Sequence, residues 1–158
     1  MIGMSEHSRL RHWLAGASLF IVVTGFAADY PAPPGPDEKP FAEARVVLQI
    51  SDREDEVQTR ALNVASNLSK FYGPDQVDIE VVAFGPGISI LYADSGQRER
   101  VSSLAASGVR FIACMNTVDT IERTTGARPE LVPSAIPVQA GVAHMIERNQ
   151  QGYVLVRP

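Results

Sequence analysis

The stretch "ARVVLQISDREDEVQTRALNVASNLSKFYG", Ala44 to Gly73, decides the fold class. Ala44 to Ile50 is a short apolar run of β-branched character, as expected for a strand covered on both faces. Past the polar segment "SDREDE", the residues Val57, Ala61, Val64, Ala65, Leu68, Phe71 and Tyr72 recur at steps of three and four, which predicts a helix with one inward stripe. Ser51 or Asp52 is expected to cap that helix. The acidic residues Glu54 to Glu56 suit the positive end of its dipole, and Gly73-Pro74 stops it. Consecutive helix residues point in different directions, so the acidic run reads as helix-end electrostatics and not as paired catalytic carboxylates.

The same alternation continues to the end of the chain. "VDIEVVAF" from Val77 alternates and then turns continuously apolar, which predicts a strand with one end more exposed. "GPG" at Gly85 to Gly87 breaks it, and "ISILYA" is expected to form a short helical turn. Gln97 to Ser107 carries Val101, Leu104 and Ala105 on one helical face, with Gly108 placed to end it in a left-handed conformation. "VRFIAC" is the next strand. Asn116 is the expected N-cap of a short threonine-rich helix, with Asp119 three residues on and Gly126 near its end. "AIPVQA" from Ala135 reads as a strand that Pro137 confines to an edge or a strand start. Gly141 to Gln150 is a last helix with Val142, Met145 and Ile146 inward, and "YVLVR" closes the chain as a fifth strand. Strands alternating this regularly with helices predict one three-layer α/β domain around a mainly parallel five-stranded sheet.

Ahead of that domain, Arg9, Arg11 and His12 precede an uncharged apolar run from Trp13 to Phe26. Its length suits the h-region of a signal peptide better than a membrane span of about twenty residues. Residues 1–27 are expected to be an export signal, with Gly25 and Ala27 before the cleavage point, and the alternative is an uncleaved membrane anchor. Export predicts a periplasmic or secreted protein. Residues 28–40, "ADYPAPPGPDEKP", are too rich in proline for helix or interior strand and read as an extended tether to a domain spanning 41–158.

Removing the leader takes Arg9, Arg11 and Glu6, leaving a chain more acidic than its overall net charge of −4. Such a chain, without a basic cluster, is a poor ligand for phosphate backbones, which excludes nucleic acid as an expected partner. It also leaves His144 as the remaining histidine, which excludes a histidine-based metal site. No GxSxG, HExxH, CxxC or P-loop occurs, so hydrolase, zinc protease, thioredoxin and nucleotide-hydrolase chemistry lack their central residues, and no cofactor is expected.

In an α/β sheet of this type the carboxyl ends of the strands and the amino ends of the following helices share one rim, where ligands bind. That rim is expected to hold Gly85, Pro86 and Gly87, the single cysteine Cys114, and Asn116 and Thr117. Cys114, just before a helix amino end, has three readings. A helix dipole and free amides would favour thiolate over thiol there; a small apolar side chain would simply pack; an exported lone thiol would pair between chains. "FGPG" suits a tight turn more than a nucleotide loop. His144, in the first turn of the last helix, is a candidate for orienting a small anion at the rim or for lying at a subunit contact.

From about Phe41 onward the chain resembles the DsrE/DsrF-like proteins of sulfur relay and intracellular sulfur oxidation. The carrying stretches are "ALNVASNLSKFYG", "DIEVVAFGPGISILYADS", "GVRFIACMNT" and "VPSAIPVQAGVAHMIERNQQGYVLVRP". In the sulfur-transferring members the active cysteine ends the strand that follows a "GV", which is the position of Cys114. The resemblance implies a Rossmann-like fold and a cysteine that takes sulfane sulfur as a persulfide and passes it to a partner thiol. Amides around Asn116 and Thr117 would steady the anion, and the Gly85 to Gly87 loop would shape the pocket. It also implies a homo-oligomer, a trimer or hexamer, with protein thiols as donor and acceptor. The competing expectation is an oligomeric module that binds a small anion or a partner without catalysis, its cysteine structural.

Overall fold

Residues 39–158, with Tyr30 and Pro33, are described by the structure, a computed structural model. The expected export segment 1–27 and most of the tether 28–40 lie outside the described residues. Among the described residues no helix is long and apolar enough to cross a membrane.

In chain order the elements are β1 (Ala44–Ile50), α1 (Asp55–Tyr72), β2 (Val77–Ala83), a 3-10 helix (Gly85–Leu91), α2 (Arg98–Ala106), β3 (Arg110–Cys114), α3 (Met115–Thr125), β4 (Ala135–Val138), α4 (Gly141–Gln150) and β5 (Val154–Val156). The five strands are all parallel and lie in the order β4-β3-β2-β1-β5. This is the expected three-layer, Rossmann-like α/β domain. Handedness explains the layers. Right-handed crossovers from β1 to β4 step in one direction and place α1, the 3-10 helix, α2 and α3 on one face. The return from β4 to β5 steps the other way and puts α4 on the opposite face, over Val47, Val82 and Ile112. Pro137 sits in β4 at the sheet edge, where its missing donor is tolerated.

Several local expectations are corrected. α1 begins at Asp55 with Glu54 at its N-cap and no side-chain cap; the Ser51 hydroxyl instead donates to Asp52 Oδ2, which also accepts from Arg157. Phe71, assigned to the inward stripe, is 81% exposed, while Gln58 and Leu62, outside that stripe, are buried beside Ala61 and Ala65. α3 starts at Met115, so Cys114 and not Asn116 is its N-cap, and Asp119 pairs with Arg128 instead of reaching back. Lys39, assigned to the tether, is tied to the domain: its ammonium donates to the carbonyls of Pro74, Val77 and Gly108. Burial holds the pKa of Lys39 below its usual value, against the opposing charge of Asp78.

Two corrections bear on function. β2 is buried along its whole length, including Asp78 and Glu80. α4 turns His144, Met145 and Arg148 inward, while Val142 and Ile146, expected in the core, are 50% and 54% exposed. The two facts have one cause. Asp78 and Glu80 point to the α4 face, and burying two carboxylates demands cationic and hydrogen-bonding partners, which α4 supplies from its polar side.

Candidate functional site

The carboxyl-end rim is built by short turns with defined backbone needs. Gly85 leaves β2 at φ +53, a left-handed conformation that favours glycine, and its amide donates to Thr117 Oγ1 at 3.0 Å. Gly87 is required for space. A Cβ there would lie 2.5 Å from the Ile50 carbonyl oxygen, so this turn packs directly on the end of β1. The "FGPG" turn therefore exists for close approach of backbone to backbone, and Gly87 is buried instead of lining a site.

Between this turn and α3 lies a cleft of about 380 Å³, lined by Arg53, Gly85, Pro86, Asn116, Thr117, Thr120 and Ile121. Four of the expected site residues meet here. Asn116 does so in an unexpected way: its amide N–H donates to the Gln139 carbonyl at 3.0 Å and its Oδ1 accepts from Gln139 Nε2 at 2.6 Å. That backbone donor is already committed, so it does not serve as the anion-steadying amide expected of it. Its bonds fix the β4–α4 connection to the start of α3.

Cys114 does not line that cleft. It ends β3 on the opposite sheet face, opposite Val138, and is 7% exposed. Two helix amino ends converge on it. Cys114 is itself the N-cap of α3, with no side-chain cap bond. The first residue of α4, Gly141, sits so close that a Cβ on it would lie 3.1 Å from Cys114 Cβ, 3.3 Å from Val82 Cγ1 and 3.6 Å from Phe84 Cβ. Glycine at 141 thus lets the amino end of α4 approach the thiol side chain. Helix amino ends attract negative charge, and here two of them meet at one cysteine. Among the described residues Cys114 has no disulfide partner.

His144 is not at the rim. It lies under α4, where its Nε2 is 2.6 Å from Glu80 Oε2. It belongs to a buried network that sequence reading missed. Glu80 Oε1 accepts from Arg110 Nε and Nη2 at 3.1 and 3.0 Å, and from Arg148 Nε at 3.0 Å. Arg110 Nη2 also contacts Asp78 Oδ1 at 2.8 Å and donates to the Tyr153 hydroxyl, which in turn donates to Asp78 Oδ2 at 2.5 Å. The Arg148 guanidinium stands over the Tyr153 ring, 5.5 Å from its centre. A signal for this cluster was present. Acids two apart on a strand share one face, and His144 and Arg148, four apart on a helix, share another. In a parallel sheet covered on both faces, the two sets must meet or remain unpaired.

The network is a feature of the opposite half of that face: Arg110 and Cys114 are four residues apart on β3, about 13 Å along the strand. Its charges oppose each other with two carboxylates against two guanidinium groups. Burial pushes the Glu80 carboxyl up, but hydrogen bonds from His144 and Arg148, with the neighbouring charges, more than offset this and hold it below the usual carboxylate range. Burial, reinforced by the Asp78 contact, pushes the Tyr153 phenol up to about 12.

Both shifts make stability depend on pH. A depressed carboxyl stabilises the fold above its unfolded pKa of about 4.3 and loses that contribution as pH falls through the lower folded value. A raised phenol stabilises below its unfolded pKa of about 10 and loses that contribution as pH rises toward the folded value. Urea-unfolding midpoints are therefore expected to fall on both the acid and the alkaline side. Tyr153→Phe should shrink the alkaline fall and leave the acid fall in place; an unchanged alkaline limb would contradict the assignment.

No protein-family model and no curated protein matches the chain. It is similar to a solved structure, that of the protein of unknown function MTH1491 from Methanobacterium thermoautotrophicum, at 32% identity and a TM-score of 0.66. The match covers 73% of this chain and 100% of that one.

Proposed function

We propose that this chain, which belongs to the same family as MTH1491, is a sulfur carrier or sulfurtransferase working through Cys114. The observation that carries the reading is the meeting of two helix amino ends, those of α3 and α4, at the one cysteine of the chain. The resemblance to DsrE/DsrF-like proteins supplies the chemistry. The Cys114 thiolate attacks the outer sulfur of a persulfide donor; the S–S bond of the donor breaks, and the donor thiolate leaves with the electron pair. Cys114 then carries the sulfur as Cys-S-SH. Attack by an acceptor thiolate on that outer sulfur reverses the sequence and regenerates the Cys114 thiolate, with no net oxidation.

A homo-oligomer fits this reading. Val142 and Ile146 of α4 and Leu155 of β5 are exposed apolar side chains beside the face that holds Cys114, and a second copy of the chain would cover them. The expected export signal at residues 1–27 supports a periplasmic or secreted setting for this activity, with an uncleaved membrane anchor as the alternative.

A second reading has its own observation. Cys114 is mostly buried, whereas the cleft on the other side of the rim presents Arg53, for which the described residues provide no acid partner, next to Asn116 and Thr117. This suits a small-anion binding module with a structural cysteine.

One experiment separates them. Reduced protein incubated with inorganic polysulfide is expected to gain a single sulfur atom on the peptide containing Cys114, read by intact-mass and peptide mass spectrometry, and to release it to a small acceptor thiol. The Cys114→Ser chain should gain none. Absence of the adduct on folded wild-type protein sinks the carrier reading in favour of the binding module.

A further inference from the structure

The geometry points to Glu80 as a positioning residue for the Cys114 thiol: it anchors a latch that holds α4 over the sulfur, and weakening that latch opens the thiol to reagents. The starting observation is how α4 is held. Its buried residues are Gly141, His144, Met145 and Arg148, and Val142 and Ile146 face outward. Met145 is therefore the one large apolar side chain that α4 commits to the sheet. The other two large buried groups both reach the same carboxylate: His144 to Glu80 Oε2, and Arg148 to both Glu80 oxygens at 3.0 and 3.1 Å.

The opposite layer is built differently. α1, α2 and α3 share an apolar core with the sheet that includes Ala61, Leu62, Ala65, Val101 and Val118. The apolar cluster under α4 is much smaller, centred on Val47, Val82, Ile112, Val138, Met145 and Tyr153. Elements with few buried apolar contacts are the ones that open locally, below the free energy of global unfolding. Loss of polar anchoring should thus act on α4 before the rest of the domain.

Distance along the helix links the latch to the thiol. His144 follows Gly141 by three residues, about 4.5 Å of helix rise, so the Glu80 contact lies within one turn of the residue packed on Cys114. The connection before α4 is held to α3 by the paired Asn116 and Gln139 bonds, so the start of α4 has two polar anchors, one at Gln139 and one at His144. Release at Glu80 removes the second of these anchors and lets the first turn of α4 open locally, which frees Gly141 to part from Val82, Phe84 and Cys114.

The inference rests on the Cys114 reading for its purpose but not for its test, because alkylation reports access to the sulfur whether or not it carries persulfide. In the full chain, Glu80→Gln is expected to raise the rate of Cys114 alkylation by iodoacetamide about tenfold or more. Amide hydrogen exchange should quicken in α4 by a clearly larger factor than in α1. His144→Gln, which retains a hydrogen-bonding side chain, should fall between that variant and the wild type. Unchanged alkylation and α4 exchange in folded Glu80→Gln would overturn the inference. So would an equal loss of protection in α1 and α4 in both variants, since α4 would then open only together with the whole domain. The outcomes stay separate from the carrier test: latch-controlled alkylation without a sulfur adduct removes the carrier reading alone, and an adduct with unchanged alkylation removes the latch alone.

Discussion

Arg110→Ala is expected to lower folding stability by about 3–5 kcal/mol, because it strands buried carboxylates that the arginine neutralises. Arg110 stands between Asp78 and Glu80 and touches both, at 2.8 Å and 3.0 Å, and both acids have no solvent exposure. A loss of that size is a large part of the roughly 5–15 kcal/mol available to a domain. Circular dichroism during urea unfolding would measure it. A diagnostic companion is the double variant Asp78→Asn with Arg110→Met, which removes one charge of each sign and should recover part of the loss. Equal losses in the single and double variants would mean that the network matters through packing and not through charge.

The second large effect is expected at Gly87. Alanine there drives a methyl group to within 2.5 Å of the Ile50 carbonyl oxygen and 2.7 Å of its carbon, both backbone atoms that a rotamer change cannot move. Overpacking of this kind costs about 1–3 kcal/mol or more. Gly96→Ala is the matched control, since its Cβ would meet nothing within 4 Å, and it should change stability by less than about 0.5 kcal/mol. Thermal melts of the two variants should therefore differ clearly, and similar melts would mean that the "FGPG" turn can move away from β1.

The contrast between the two positions shows what sequence can and cannot carry. The fold was legible because it is written in local periodicity: apolar runs at Ala44 to Ile50 and Val77 to Ala83, and three- and four-residue spacing in α1, name the elements directly. Gly87 was legible as a turn residue but not as a packing residue, since its constraint comes from Ile50, which only the folded sheet brings near. The same holds for α4. Its bounds, Gly141–Gln150, follow from the sequence, yet its inward face does not follow from hydrophobicity. His144 and Arg148 turn inward because Glu80 lies beneath them, and that contact spans more than sixty positions of sequence.

The candidate site divides along similar lines. Gly85, Pro86, Asn116 and Thr117 do meet in one cleft, as the shared rim of strand ends and helix starts requires. Cys114 leaves that group because successive residues of a strand point to opposite faces. Its side chain falls on the α4 side, and there it meets a second helix amino end that strand and helix spacing could not foretell. His144 was assigned to the rim from its place in the first turn of α4. The depth of Glu80 in the sheet draws it below instead.

The central claim is that Cys114 is a working thiol and not a packing group, and native thiol titration tests it most directly. The chain has one cysteine, so every modified molecule is modified at Cys114. With a small alkylating reagent under native conditions, complete modification is predicted at a rate well above that of global unfolding and rising linearly with reagent concentration. Modification that proceeds only at the unfolding rate, independent of reagent concentration, would contradict the account and leave Cys114 as part of the core.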